Sequence, residues 1–175
     1  VTFTIPKDQK SFMKDGLFPS EAPKLIMVAM VDNDAFNGDI NRNPFHFKHN
    51  DLAEIALRVN GVSHPGPPYK PDFDSSQFVR SYVDFMKVFG YFNTDDTNGL
   101  TMKEYQNGYT IYAFDLTADN DISAPYRQAN VPHNIRLDLE FKANLANTIN
   151  VLIYAVFDSL IEITKYRDVI LHYNR

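Results

Sequence analysis

The sequence predicts a mainly β protein, folded as an antiparallel β-sandwich with one inserted helix. From residue 109 onwards, the apolar residues gather in short runs rich in β-branched and aromatic side chains, and turn residues bound most of these runs. One central segment repeats its apolar residues at helical spacing. Strands, a long loop, one helix and then strands at hairpin-like spacing are the order expected of a sandwich.

Three strands are predicted before the helix. Residues 2–5 alternate in polarity and form an edge strand that Pro6 ends. Residues 24–31 are a nearly continuous apolar run, which indicates a strand buried on both faces, although a short helix has the same composition. Residues 52–59 are predicted as a strand closed by the hairpin signal Asn60-Gly61, with a helix as the competing interpretation.

Three polar segments separate these elements. Residues 7–23 and 32–50 are predicted to be surface loops. Residues 61–75 contain four prolines and are predicted to be an extended linker within a single domain that spans residues 1–175.

The predicted helix covers residues 76–89, and Gly90 supplies its stop. Its apolar stripe consists of Phe78, Val79, Tyr82, Phe85, Met86 and Phe89. The stripe is expected to pack on one face of a sheet. Thr101 and Glu104 match a capping box and predict one further short helical turn.

The predicted C-terminal strands are residues 109–116, 134–141, 148–157, 160–163 and 169–171. In the second of these, Asp138 and Glu140 alternate with leucines and a phenylalanine, as on the solvent face of a half-buried strand.

Composition restricts the function classes. The 175 residues include no cysteine, which excludes disulfides, thiolate metal sites and cysteine nucleophiles. A net charge of −5 argues against a nucleic-acid-binding face. No window holds about 18 uninterrupted apolar residues, so no transmembrane helix is expected. The chain begins without a signal-peptide pattern or an initiator Met, and it is therefore expected to be a fragment or a processed product.

Two Asx-rich loops invite a calcium interpretation. EF-hand loops place oxygen ligands at alternate positions, glycine sixth and glutamate twelfth. Counted from Asp32, Gly38 falls seventh and Asn43 twelfth, and counted with Gly99 sixth, Tyr105 falls twelfth. Both registers fail, so we expect these side chains to stabilise their own turns. No cofactor is predicted.

Signals for catalysis are also weak. His46 and His49 are the only histidines close in sequence, and no HExxH motif completes a zinc set. The chain has no Gly-x-Ser-x-Gly elbow and no glycine-rich phosphate loop. A carboxylate pair in a sugar cleft is conceivable among the acidic residues on or beside strands, namely Asp115, Asp138, Glu140, Asp158 and Glu162. The prediction is a protein without catalytic activity.

Four ordered phrases carry a resemblance to a known family. They are residues 32–38 with 43–47, residues 107–117, residues 134–141 and residues 150–163. Together they resemble the C-terminal part of the hexon-like major capsid protein encoded by Maverick/Polinton elements and the related adintoviruses. The resemblance extends from about residue 24 to residue 170.

The resemblance implies a fold and a function. The family has a double jelly-roll fold, so this chain would supply one jelly-roll, with a further strand between residues 61 and 75 and the last apolar segments completing the sandwich. It implies a structural protein of a virion, made in the host cytoplasm or nucleus. Such a protein would assemble with itself into trimeric capsomers and with other capsid proteins, without binding nucleic acid or membrane directly. A lone jelly-roll also resembles minor (penton) capsid proteins, and that alternative stays open.

Assembly contacts are predicted in the loops 32–50, 61–75 and 92–108, with Phe36, Phe45 and Phe73 as candidate contact residues. The alternative function is a β-sandwich module that binds carbohydrate or a surface receptor through aromatic and Asx residues. A glycosidase-like enzyme ranks last.

Overall fold

Eight strands pair in a nested order. The computed structural model describes residues 1–19, 21–92, 94–117, 122 and 133–172. The strands are β1 (Thr2–Ile5), β2 (Ser11–Lys14), β3 (Leu25–Asp32), β4 (Leu52–Val59), β5 (Val62–Tyr69), β6 (Ile111–Asp115), β7 (Ile135–Phe141) and β8 (Ile149–Val156). The first pairs with the eighth, the second with the seventh, the third with the sixth and the fourth with the fifth, all antiparallel.

The nested pairs form two four-stranded sheets, ordered β1-β8-β3-β6 and β2-β7-β4-β5. This is the order produced when one long hairpin folds over on itself, and it defines a jelly-roll. The predicted antiparallel sandwich of jelly-roll type is therefore confirmed.

Sequence patterns explain the core between the sheets. In β7 every second residue is buried, so Ile135, Leu137, Leu139 and Phe141 face inwards. In β3 all residues but Met27 are buried, as its continuous apolar run predicts. The Asn60-Gly61 turn has positive φ at both residues and joins β4 to β5, which confirms the hairpin and excludes the helix at 52–59.

The structure describes three helices, α1 (Asn33–Phe36), α2 (Val79–Val88) and α3 (Met102–Gln106). None of them is long and apolar enough to cross a membrane. The inserted helix α2 begins at Val79, three residues after the predicted start at residue 76. The short helix α3 has the predicted capping box between Thr101 and Glu104.

Helix α2 covers the side of the sandwich where β5 and β6 are the edge strands. The Tyr69 hydroxyl of β5 donates to Asp84 of the helix at 2.8 Å, and the Arg80 guanidinium lies 5.0 Å above the Tyr69 ring. Phe78, Phe85 and Met86 of the predicted stripe are buried. Val79 and Phe89 are exposed instead, because the helix contacts the sandwich along a narrower face than its apolar stripe.

Two strand predictions were wrong in part. Residues 11–14, within a predicted loop, form edge strand β2, which is held by pairing with β7. The last apolar segments do not complete the sandwich: among the strands that the structure describes, β9 (Leu160–Ile163) and β10 (Val169–His172) pair only with each other, as a separate hairpin. The missing strand between residues 61 and 75 is β5, whose prolines are tolerated at a sheet edge.

Candidate functional site

The nested strand order gathers four connections at one end of the sandwich, called here the loop end. They are residues 6–10, 33–51, 70–110 and 142–148. Backbone hydrogen bonds join them: Asp8 N–H donates to the Leu145 carbonyl at 2.8 Å, and Lys142 N–H donates to the Asp51 carbonyl at 2.9 Å. The two long predicted loops, 32–50 and 92–108, therefore meet on one surface.

The connection 33–51, called the long loop, is fixed to its neighbours by backbone hydrogen bonds. Phe47 N–H donates to the Gly108 carbonyl at 2.7 Å, and Thr110 N–H donates to the Phe47 carbonyl at 3.1 Å. Lys48 N–H donates to the Met30 carbonyl of β3 at 3.0 Å. These bonds anchor the later part of the loop, at residues 47 and 48, to the end of the sandwich.

Gly108 permits this close approach. Its φ is +124°, and a Cβ at this position would overlap the ring of His46. Only glycine satisfies both conditions, so the contact between the long loop and the residues before β6 depends on it.

A charge cluster stiffens the middle of the long loop. Arg42 lies 3.3 Å from Asp32, 3.5 Å from Asp34 and 3.5 Å from Asp39, and Lys48 lies 2.5 Å from Asp32. Asp32 is buried at the end of β3, and its charge is thereby compensated by two cations. The loop that invited a calcium interpretation thus carries its own positive charges.

A cavity of about 230 Å³ opens beside this cluster. It is lined by Asp32, Ala35, Asn41, Arg42, Asn43, His46 and Lys48. Within the described ranges, no group of three or more His, Asp or Glu side chains is arranged to hold a metal ion.

Three large apolar side chains of the long loop are exposed among its polar ones. Ile40 is 96% exposed, Phe45 70% and Phe36 47%. We call these three side chains the apolar patch. The structure places the predicted contact residues Phe36 and Phe45 in it, and it adds Ile40, which the sequence did not single out because one aliphatic residue in a polar loop gives no periodic signal.

Phe73, the third predicted contact residue, is buried in this chain. It is only 2% exposed, and its ring stacks between His49, at 4.0 Å, and Phe78, at 4.9 Å. The Tyr105 ring continues the stack at 6.1 Å from Phe78. Phe73 therefore joins the long loop to α2 and α3 as a core residue, and its place in a Pro-rich stretch concealed that burial.

His49 ends the long loop in a tight turn. Asn50 and Asp51 both have positive φ, at 48° and 47°. The Asp51 N–H donates to Nδ1 of His49 at 3.1 Å. Burial lowers the pKa of His49, against the opposing effects of Asp51 and Asp74 and with a smaller contribution from Lys142.

Lys142 bridges the loops next to this turn. Its ammonium lies 2.7 Å from Asp72 and 2.9 Å from Asp74. Hydrogen bonds from Lys142 and Ser75 lower the pKa of Asp72 to about 2, and the two carboxylates raise the pKa of Lys142.

Two of the acidic residues considered for catalysis, Asp138 and Asp115, interact with other side chains and lie in different sheets. Asp138 lies 2.7 Å from Arg58 and 2.5 Å from Arg136 on the outer face of its sheet. Asp115, in the other sheet, accepts from the Thr117 hydroxyl at 2.6 Å. Asp138 and Glu140 alternate with buried residues, as predicted for the solvent-facing side of β7.

One curated protein shares recognisable sequence with this chain. The "Uncharacterized protein F54H12.2" of Caenorhabditis elegans is 28% identical over 178 residues, an alignment that covers 94% of this chain. The chain spans 42% of that relative's length. No protein-family model matches the chain, and no solved structure matches it.

Proposed function

We propose that this chain is a structural capsid domain of a virus-like element of the Maverick/Polinton kind, which acts by self-assembly through its loop end. The observation that carries the proposal is the apolar patch on the long loop, in which Phe36, Ile40 and Phe45 are exposed although the loop that bears them is ordered. Exposed apolar patches commonly mark interaction surfaces.

The fold supports this proposal as a scaffold. Viral capsid proteins are among the proteins that use double-sheet jelly-rolls, although lectins and cupins use them as well. Because a jelly-roll gathers its connections at its two ends, the loops vary freely in length while the sheets stay the same. Fold alone does not assign function, so the further support for the proposal comes from the side chains of the loop end.

The rigidity of the long loop makes its patch suited to association. Ordering a flexible loop on binding costs about 0.5–1.5 kcal/mol for each immobilised side chain. Here the backbone hydrogen bonds of Phe47 and the ion pairs of Arg42 restrain the loop before binding, so the loop would lose less freedom on association. Each phenylalanine buried against a neighbour would then contribute about 1.5–3 kcal/mol.

Assembly would be homomeric, into trimeric capsomers that contact other capsid proteins within a virion. A closed ring uses one surface against a different surface of the next copy. The apolar patch would supply one of these two surfaces, and the chain would contribute no catalysis.

The test is the oligomeric state of patch variants. Phe45→Asp and Phe36→Asp are expected to leave the urea unfolding midpoint unchanged, because both rings are exposed, and to shift the chain from oligomer to monomer. Analytical ultracentrifugation and electron microscopy of the purified chain measure the outcome. Phe73→Asp is unsuitable, because it would place a charge in the buried stack and unfold the protein.

Met13→Asp is the matched control. Met13 is 55% exposed on β2, outside the loop end, so its replacement also removes an exposed apolar side chain. It should leave assembly intact. A wild-type chain that stays monomeric at high concentration, or patch variants that assemble as well as Met13→Asp, would contradict the proposal.

A further inference from the structure

We propose that His49 is an acid-sensitive latch, which holds the long loop against the β5–β6 connection through its stack on Phe73 and its hydrogen bond from the Asp51 amide. The inference concerns the conformation of the isolated chain, so it goes beyond the proposed function and does not need assembly to occur.

The hydrogen bond fixes the protonation state of the ring. Nδ1 of His49 accepts from the Asp51 N–H at 3.1 Å, and an acceptor nitrogen carries no proton. The ring in this structure is therefore the neutral tautomer with its proton on Nε2. Protonation of Nδ1 would put two N–H groups face to face and remove this bond.

The turn that depends on this bond is strained. Asn50 and Asp51 are consecutive residues with positive φ, a conformation that L-residues adopt at a cost. The Asp51 N–H, the Leu52 N–H donating to the His49 carbonyl at 3.0 Å and the stack on Phe73 hold the turn together. Without the hydrogen bond from the Asp51 N–H, only the Leu52 hydrogen bond and the stack would restrain the two strained residues.

The charges around the ring decide which way it moves. Asp51 of the same turn has its carboxylate 3.3 Å from Nδ1, Asp74 of the facing loop is a second acid, and Lys142 is the opposing cation. A protonated ring would donate to the Asp51 carboxylate in place of accepting from its amide. Nδ1 cannot accept from the amide and donate to the carboxylate at once, so the two hydrogen-bonding arrangements are alternatives.

The direction with pH follows from burial. Because the folded chain favours the neutral ring, the latch is fully closed above the ordinary histidine pKa of 6.5 and opens as pH falls through that value and the lower folded value. The element released is the turn at residues 49–51 that ends the long loop, because the hydrogen bonds of Phe47 and Lys48 still hold the rest of the loop.

Amide hydrogen exchange by NMR, corrected for the intrinsic pH dependence of exchange, tests the latch at concentrations where the chain is monomeric. Between about pH 7.5 and pH 5, the range in which histidine titrates, the Asp51 amide should lose protection by about tenfold for each unit by which the pKa of His49 is lowered. The Cε1–H signal of His49 should titrate with the same midpoint.

His49→Gln and His64→Gln complete the experiment. Glutamine offers a neutral acceptor oxygen, so His49→Gln should keep the Asp51 amide protected at both pH values, while His64→Gln on β5 should behave as wild type. Equal loss of protection in wild type and His49→Gln, or a His49 midpoint above the ordinary histidine value of about 6.5, would overturn the latch. Neither result bears on oligomeric state, so failure here is separate from failure of the assembly proposal.

Discussion

Tyr112 shows how a single buried hydroxyl affects this fold. The side chain is fully buried in β6, and its hydroxyl has no hydrogen-bond partner among the described residues. Burial raises the pKa of Tyr112 well above its usual value. The neighbouring Tyr105 is also fully buried, but its hydroxyl donates to the Ile111 carbonyl at 2.9 Å. Two tyrosines of equal burial therefore differ in one hydrogen bond.

We predict opposite effects when each of these hydroxyls is removed. Tyr112→Phe should be neutral or stabilise the protein by about 1 kcal/mol, because it removes an unsatisfied polar group, whereas Tyr105→Phe should cost about 1 kcal/mol. Urea unfolding midpoints at constant slope measure both changes. Equal destabilisation by the two substitutions would mean that the Tyr112 hydroxyl is in fact satisfied.

At the scale of elements, sequence patterns predicted the strands whose own apolar residues form the buried face. β3, β7 and β8 are long, and their β-branched or alternating residues match the faces they bury, so their positions agree with prediction to within a residue or two. β2 has four residues with one half-buried side chain, Phe12, and forms because β7 offers it a hydrogen-bonding edge. A strand that is made by its neighbour leaves little signal in its own residues.

The candidate site was predicted in outline and not in detail. Phe36 and Phe45 are exposed in the Asx-rich loop, as a contact surface would need, and their role in contacts stays a prediction. The burial of Phe73 depends on a histidine 24 positions earlier in the chain stacking on it, a pairing that only the fold produces. The Arg42 cluster likewise requires the loop to fold back on the end of β3.

The C-terminal hairpin should be dispensable for stability. Its strands β9 and β10 pair only with each other, and Ile161, Ile163 and Val169 are largely exposed. An isolated two-stranded hairpin is marginally stable in water and buries little. A chain ending at Ser159 should therefore keep the urea midpoint, and its melting temperature should change by less than about 2 °C.

A second truncation provides the contrast. A chain ending at Thr148 loses β8, which lies between β1 and β3, and should not fold cooperatively. Circular dichroism during thermal unfolding distinguishes the two truncated chains. A large loss of stability in the chain ending at Ser159 would show that the hairpin packs on the sandwich in solution.

For the whole molecule, the loop end is where pH and salt act on stability. Lys142 joins the connection after β7 to Asp72 and Asp74, while His49 joins the long loop to the same region. The two links titrate in different ranges, since the pKa of Asp72 falls from 3.8 to about 2 and that of His49 falls from 6.5. Both depressions make the folded state less stable in acid.

Lys142→Ala should therefore change the pH dependence of stability mainly in acid, and only slightly near pH 6.5, because Lys142 is the smallest of the causes that shift the pKa of His49. A depressed carboxyl pKa stabilises the fold above pH 3.8, and this contribution is lost as pH falls towards 2. Without the ammonium, Asp72 should titrate closer to its ordinary value, so the urea midpoint should fall less steeply below about pH 4. The groups are exposed, so high salt should reduce the difference between wild type and variant.

His49→Gln should instead reduce only the fall of the urea midpoint below about pH 6.5. If the urea midpoints of wild type and Lys142→Ala fall in parallel below about pH 4, this bridge does not couple the loops. If the urea midpoints of wild type and His49→Gln change identically below about pH 6.5, another group causes the pH response of the loop end.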